Sequence, residues 1–129
     1  MYSYTDFDLY KLSIKLVLEV YKATEDFPRQ EQFGLSSQMR RSAVSIPSNI
    51  AEGSGRHTTK EFIQYLYMSN GSLSELETHV EISRQLGFIR DTANLVDHIK
   101  RIRPMILQLI KTLSNKLDKV DHKWVKTTN

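Results

Sequence analysis

Hydrophobic residues recur at helical spacing along most of this chain, and the residues that interrupt helices are sparse, with five glycines and three prolines. Few stretches alternate apolar and polar residues at a period of two, as a half-buried strand does. Long segments also lack the turn signals that separate short elements. The pattern therefore predicts a small number of long helices.

The first helix is predicted over about residues 6–26, with Asp6 as its N-cap, and it ends before Pro28 because the residue preceding a proline avoids the α conformation. Two apolar stripes run along it. The first stripe is Leu9, Leu12, Leu16, Val20 and Ala23, and the second is Tyr10, Ile14, Val17 and Tyr21. Two stripes on one helix indicate burial on more than one side.

The second helix is predicted over about residues 36–54, with Ser36 or Ser37 as its N-cap. Its apolar spacing continues across Pro47, so we expect a bend there and not a break. The segment is rich in serine, alanine and glycine. Small side chains of this kind favour the close approach of a neighbouring helix.

The third helix is predicted over about residues 59–86, because Thr58 and Glu61 have the spacing of a capping box and Gly87 is a typical C-terminal stop. Its core stripe is Phe62, Leu66, Ser69, Leu73, Leu76 and Val80. Gly71 lies inside this helix at a cost of about 1 kcal/mol relative to alanine. We expect a tight helix contact at Gly71 to compensate for that cost.

The fourth helix, predicted over about residues 92–122, has the most regular apolar pattern and a bend at Pro104, with a frayed tail from about Lys126. Its stripe is Leu95, Ile99, Ile102, Ile106, Leu109, Leu113, Leu117, Val120 and Trp124. Short connections between sequential helices make them antiparallel neighbours. The sequence therefore predicts an all-α fold, an antiparallel up-down-up-down four-helix bundle that forms a single domain over residues 1–129.

The chain has more apolar surface than a monomeric bundle needs, because tyrosines and Met68 flank the core stripe of the third helix. We therefore predict a homo-oligomer, with wider core packing as the alternative. The predicted interface residues are Tyr10, Ile14, Val17, Tyr21, Tyr65 and Tyr67.

The absence of cysteine excludes disulfides, thiolate nucleophiles and cysteine-ligated zinc or iron–sulfur sites. The beginning of the sequence lacks the pattern of a secretory signal, and no apolar run approaches the roughly 18 residues of a membrane span. We therefore expect a cytoplasmic protein that does not bind membranes.

Positive charge is concentrated near the C-terminus, since residues 97–126 have eight Lys and Arg against three Asp, whereas the rest has ten against twelve acidic residues. Such a basic helix can bind an anionic partner, or it can be a solvated surface. The candidate residues for binding RNA or DNA are Lys100, Arg101, Arg103, Lys111, Arg56 and Lys60. Contacts to phosphates would be independent of sequence and sensitive to salt.

No catalytic or metal-binding motif stands out. Di-metal bundle sites need Glu-x-x-His on each of two helices, whereas Glu75 and His79 are four residues apart and have no second copy. They fit a solvated helix face better. No nucleophile elbow with Gly-x-Ser-x-Gly is present. We expect no catalytic residues, no metal and no cofactor.

The segment RRSAVSIPSNIAEGSGR, residues 40–56, lacks the spacing of a Walker A loop and follows a helix instead of a strand. A helix terminated by glycine is the simpler interpretation, although an anion at the following helix N-terminus stays open. Arg40 and Arg41 point about 100° apart. At least one should face protein and pair with a carboxylate, such as Glu52.

Three motifs identify a family that this sequence resembles. They are FPRQEQFGL at 27–35, SQMRRSAVSIPSNIAEG at 37–53 and GSLSELETHVEISRQLG at 71–87. Together they resemble the four-helix proteins encoded in intervening sequences of bacterial 23S rRNA genes. The signature residues are Arg40, Arg41, Ser45, Pro47, Asn49, Glu52, Gly53, Gly71 and Glu75.

The resemblance implies a ring of subunits, a pentamer, and no enzymatic activity. The family is also similar to the accessory variability protein of diversity-generating retroelements, a basic pentamer that binds nucleic acid and a reverse transcriptase. We therefore expect a non-enzymatic oligomeric scaffold that binds RNA, DNA or a nucleic-acid-processing protein. The alternative is a protein–protein interaction module or accessory subunit that binds no nucleic acid.

Overall fold

The computed structural model describes the backbone of residues 7–128 and the side chains of residues 7–119, and all regular structure in that part is helical. The four α-helices are α1, Asp8–Thr24; α2, Leu35–Ser54; α3, Thr59–Gln85; and α4, Ala93–Thr128. A 3-10 helix, Arg29–Glu31, lies between α1 and α2 and was not predicted from the sequence.

The four helices form a square bundle. α1 packs against α2 and α4, and α3 packs against the same two helices, while no Cα atoms of the diagonal pairs come within 8 Å of each other in the described residues. Each helix thus has its sequence neighbour beside it, and the connections are residues 25–34, 55–58 and 86–92. The antiparallel up-down-up-down bundle predicted from the sequence is confirmed.

The predicted stripes form the core. Every residue of the α3 stripe is buried, as are Leu9, Leu16 and Val20 of α1. The core of α4 includes Ile110, which the predicted stripe omits. Burying each of these large aliphatic side chains contributes about 1.5–3 kcal/mol. Val120 and Trp124 of the predicted α4 stripe lie outside the described side chains.

The second stripe of α1 divides between core and surface. Tyr10 and Val17 are half-buried and pack against the core, whereas Ile14 and Tyr21 are exposed. Tyr21 reaches α2, since its ring lies under the guanidinium of Arg40 at 4.5 Å. Wider core packing therefore accounts for Tyr10 and Val17.

Both ends of α3 have the predicted cap residues, although only the Thr58 half of the capping box is formed. Thr58 Oγ1 accepts a hydrogen bond of 3.1 Å from the Glu61 backbone N–H. At the other end, Gly87 has φ +77°, and the Phe88 N–H donates to the Ser83 carbonyl at 2.9 Å. This is the Schellman arrangement, in which glycine accepts a left-handed conformation that side chains disfavour.

The cap of α2 differs from the prediction that Ser36 or Ser37 would supply it. Gly34 occupies the N-cap position, and the Leu35 N–H donates instead to Glu31 Oε2 at 3.1 Å. The Ser36 hydroxyl donates to the Glu31 backbone carbonyl at 2.9 Å. Glu31 can reach because the unpredicted 3-10 helix folds it back onto α2. For α1, the predicted cap Asp6 lies outside the described residues, and Phe7 occupies the N-cap position.

The tight contact predicted at Gly71 is absent, because a Cβ there would meet no atom within 4 Å. Gly53 of α2 makes such a contact instead. A Cβ at Gly53 would lie 2.6 Å from the Tyr65 Cβ and 3.0 Å from Phe62 Cδ1 on α3. The prediction failed because Gly71 lies on the exposed side of α3, and helical spacing alone does not show which helix lies opposite a glycine.

Candidate nucleic-acid interface

The basic surface of α4 is formed by Lys100, Arg101 and Lys111, which are all exposed. Eleven residues are three helical turns, so Lys100 and Lys111 lie on one side of α4 about 16 Å apart. Leu107, exposed and seven residues after Lys100, lies between them on the same side. No described residue forms an ion pair with these three cations. Arg101 directly follows Lys100 and points about 100° away from it, so the charged surface is wider than one side of the helix. We call the surface of Lys100, Arg101 and Lys111 the α4 basic face.

Arg103 does not belong to this face, although the sequence made it a candidate. Its guanidinium donates to Glu77 Oε1 at 2.8 Å, to Ser74 Oγ at 2.9 Å and to Asn70 Oδ1 at 3.2 Å. All three acceptors are on α3. Arg103 therefore joins α3 to α4, and its charge is compensated by Glu77.

Arg56 is also engaged. Its Nη2 lies 2.8 Å from Glu52 Oε1, it contacts the Tyr65 hydroxyl, and its guanidinium lies 4.9 Å from the centre of the Tyr65 ring. The hydrogen bond to the Glu52 carboxylate raises the pKa of the Arg56 guanidinium. Lys60, in the first turn of α3, is exposed. Of this predicted pair, only Lys60 has a charge that no carboxylate offsets within the described residues.

Arg40 and Arg41 point in different directions, as their spacing predicts. Arg40 faces protein, where its Nε donates to Thr24 Oγ1 at 2.9 Å and its Nη2 to the Tyr21 carbonyl at 3.4 Å. The carboxylate partner expected for it is therefore wrong: neutral groups of α1 orient it, while Glu52 pairs with Arg56. Arg41 is exposed.

The rest of the signature segment has an architectural position. Ser45 Oγ lies 2.8 Å from Ser72 Oγ of α3, and the Asn49 side chain donates to the Ser45 carbonyl at 2.8 Å. Pro47 is buried, and α2 continues through it. These contacts, with Gly53, hold α2 closely against α3.

A serine, a histidine and a glutamate lie close together between α2 and α3, but the serine and the histidine are buried. Ser42 Oγ is 3.4 Å from His79 Nδ1, and His79 Nε2 is 3.9 Å from Glu75 Oε1. Ser42 is 3% exposed, and its hydroxyl donates to the Met39 carbonyl. His79 is buried, so the predicted solvated face holds for Glu75 alone. We interpret the cluster as a satisfied polar part of the core.

Among the described residues, no group of three His, Asp or Glu side chains is placed to hold a metal ion. In the same part of the chain, no helix is long and apolar enough to cross a membrane.

Some exposed apolar residues were not predicted as interface residues. Phe33 is 89% exposed and Leu18 is 64% exposed, whereas the predicted Tyr67 is 58% exposed. Tyr65 is half-buried against α2 through its contacts with Arg56 and Glu52. The isolated FG pair before α2 is the sequence signal that could have revealed Phe33, because a phenylalanine in a polar turn has no stripe to join.

Comparisons with known proteins agree on the family. A family model described as 23S rRNA-intervening sequence protein matches residues 5–108. A solved structure from Bacteroides thetaiotaomicron, a protein of unknown function from the S23 ribosomal protein family, has a similar fold with a TM-score of 0.57. It is 23% identical, and the match covers 81% of this chain and 94% of that one. No curated protein matches the sequence significantly.

Proposed function

Because the chain belongs to the 23S rRNA-intervening sequence protein family, we propose that it is a non-enzymatic, homo-oligomeric scaffold that binds RNA or a ribonucleoprotein. The observation that carries the proposal is the α4 basic face, whose three cations are exposed and have no acidic partner among the described residues. Not every basic residue is available in this way, since the guanidinium groups of Arg56, Arg84 and Arg103 each contact a glutamate. Uncompensated positive charge repeated along a helix favours an anionic polymer as the partner.

Oligomerisation strengthens this mode of binding. Three cations on one subunit make only a weak phosphate site, whereas a ring repeats the site at a fixed spacing, and linked weak sites combine through avidity. We propose the pentamer that the family resemblance implies. Its contacts would use exposed apolar residues such as Ile14 and Tyr67.

Other features support the remaining parts of the proposal. The closed position of Ser42 and His79 agrees with a role without catalysis. The absence of cysteine agrees with a cytoplasmic location.

The proposal is tested by neutralising the α4 basic face. We would measure binding of a structured RNA by gel shift, at low salt, for the wild type and for the variant Lys100→Ser, Arg101→Ser, Lys111→Ser. Each lost phosphate contact removes a counterion-release contribution. We expect the affinity of the variant to fall at least tenfold, a loss of about 1.4 kcal/mol.

A variant with the same change in charge provides the control. Lys11, Lys15 and Lys22 are exposed lysines of α1, and their replacement by serine should change the affinity by less than about threefold. Equal losses in the two triple variants would show that net charge alone drives binding, and the α4 basic face would then have no special role.

A second candidate function is a protein–protein interaction module that binds no nucleic acid. This function is favoured by the exposed apolar residues Leu18, Phe33, Met68 and Leu86. Phosphate binding by cations has no need of them, whereas a protein partner would cover them. Light scattering and gel shift together separate the two functions. A stable oligomer that binds no RNA at low salt would support the second candidate and contradict the first.

A further inference from the structure

An open pocket of about 500 Å³ lies on the surface between α1 and α2. The residues that matter for its chemistry are Tyr21, Phe33, Ser37, Arg40, Arg41 and Val44. We call this the α1–α2 pocket. Ser37, Arg41 and Val44 line it from one side of α2, at the i, i+4, i+7 spacing that places residues along one helix face.

The pocket is positively charged and contains no acidic lining residue. Arg40 is held by Thr24 Oγ1 and by the Tyr21 carbonyl, which are neutral acceptors. These two bonds use two of the five N–H groups of its guanidinium, so three remain for a ligand. Arg41 is exposed beside it. Because these acceptors are neutral, no carboxylate offsets the charge of Arg40, and this favours an anion such as a phosphate group.

The pocket also carries an aromatic surface that the bundle does not use. Phe33 is 89% exposed, the largest exposure among the large hydrophobic residues of the described part. It stands in the turn before α2, at the edge of the pocket, and α2 and its cap do not require an aromatic side chain there. Exposed aromatic rings next to arginines are the usual platform on which the bases of single-stranded nucleic acids stack.

We propose that the α1–α2 pocket binds one nucleotide of a single-stranded RNA, with its phosphate at Arg40 and Arg41 and its base stacked on Phe33. The ligand class rests on the proposed RNA-binding function, but the site is separate from the α4 basic face. Stacking is possible with every base, so this contact adds affinity for unpaired segments without reading sequence. The α4 basic face, with its cations spread over three turns, contacts the backbone of any RNA.

A second copy of this chain is the competing occupant, since exposed Phe33 and Val44 could also pack against another subunit. The charge of the pocket argues against it. A partner subunit would bury Arg41 together with Arg40, which is unfavourable unless that subunit supplies a carboxylate to the pocket. A phosphate satisfies both guanidinium groups.

The experiment uses a fluorescein-labelled oligoadenylate RNA of about ten nucleotides, a length within the range of single-stranded binding sites. Fluorescence anisotropy at low salt measures its affinity for the wild type and for Phe33→Ser and Arg41→Gln. We expect each variant to bind about tenfold more weakly, since stacking and charged phosphate contacts are each lost. Both side chains are exposed, so melting curves of the variants should match that of the wild type.

The matched controls are Leu86→Ser, which removes an exposed apolar residue of α3, and Lys11→Gln, which removes an exposed charge of α1. We expect both to bind the probe within about twofold of the wild type. Ultraviolet cross-linking provides a direct readout, because a base stacked on Phe33 should attach to the tryptic peptide of residues 30–40.

Three results would contradict nucleotide binding in the α1–α2 pocket. The first is wild-type affinity of both Phe33→Ser and Arg41→Gln, with the loss confined to Lys100→Gln, Lys111→Gln; the proposed function would then survive without this site. The second is binding of structured RNA but not of the oligoadenylate. The third is a lower oligomer mass for Phe33→Ser with unchanged affinity for the probe, which would assign the surface to a second copy.

Discussion

At Gly53, α2 and α3 lie so close together that an added side chain would clash. The Tyr65 Cβ and the Phe62 ring occupy the space that any side chain at this position would need. Both belong to the first two turns of α3, and both are fixed by packing or hydrogen bonds, so they cannot move aside freely. Residue 53 therefore sets the spacing of the two helices.

We expect Gly53→Ala to lower the free energy of unfolding by about 1–3 kcal/mol, the typical cost of overpacking. Gly71→Ala is the matched control, because a Cβ there meets nothing within 4 Å. That change should raise stability by about 0.5–1 kcal/mol, since alanine loses less backbone entropy in a helix. Urea denaturation of both variants provides the measurement. A stabilising effect of Gly53→Ala would refute the close contact.

Arg103 illustrates how a basic residue on a basic helix can serve the fold. It donates three hydrogen bonds to α3 and is only partly exposed. We expect Arg103→Met to lower stability by about 1–2 kcal/mol, because a partly buried charged hydrogen-bond set is lost. RNA affinity should change little, in contrast to the loss for Lys100, Arg101 and Lys111 variants. If Arg103→Met bound RNA more weakly with unchanged stability, Arg103 would belong to the RNA-binding surface after all.

The residue scale also shows where sequence reasoning stops. All six residues of the predicted α3 stripe are buried, because periodicity shows which side of a helix faces the core, but the stripe omitted the buried polar residues His79 and Ser83. The partners of Arg40, Arg56 and Arg103 could not, because long side chains choose among several groups within reach. Only the structure therefore shows which of the predicted nucleic-acid-binding residues form an ion pair and which do not.

At the scale of helices, caps depend on segments that the apolar pattern does not describe. Thr58 is adjacent to its helix, so the capping-box spacing sufficed to predict it. Glu31 caps α2 from the 3-10 helix before it, which has no apolar periodicity. A serine at the expected position was therefore the wrong choice.

We expect Glu31→Ala to destabilise the protein by about 1 kcal/mol, the usual cost of a lost N-cap. Ser37→Ala, which removes the rejected cap residue, should change stability by less than about 0.5 kcal/mol. Thermal or urea unfolding distinguishes the two variants. Equal losses, or a larger loss for Ser37→Ala, would contradict the observed cap.

The last turn of α3 contains an exposed ion pair that can be titrated. The Arg84 guanidinium and, to a smaller degree, the Gln85 amide hold the pKa of the Glu81 carboxyl down to about 2. Because the pKa is lowered on folding, this stabilisation is present above the unfolded value near 4.3 and is lost as the pH falls toward 2. In the Arg84→Gln variant, NMR titration should show the pKa of Glu81 rising toward its unfolded value. An unchanged midpoint would exclude Arg84 as the cause.

At the scale of the whole molecule, the bundle could be predicted from four periodic segments and three short connections. Short connections leave little choice, since each helix must return beside the one before it. The assembly could not be predicted in the same way. The surface that covers Phe33, Leu18 and Tyr67 depends on partners outside the chain.

The assembly itself gives a direct expectation. Light scattering should report a mass five times the 15.0 kDa of one chain. Tyr67→Ser, Met68→Ser should lower that mass if the exposed apolar side of α3 lies between subunits. If the wild-type protein is a monomer at micromolar concentration, the pentamer is wrong, and repeated sites cannot combine through avidity.

The salt dependence of RNA binding shows whether the exposed cations of α4 contact phosphates. The logarithm of the association constant should fall linearly with the logarithm of the salt concentration, by about 0.7 per phosphate contact for single strands. Neutralising Lys100, Arg101 and Lys111 should make the slope shallower, whereas neutralising Lys11, Lys15 and Lys22 should leave it unchanged. Identical slopes for the α4 variant and the wild type, or no binding at about 50 mM salt, would contradict the account.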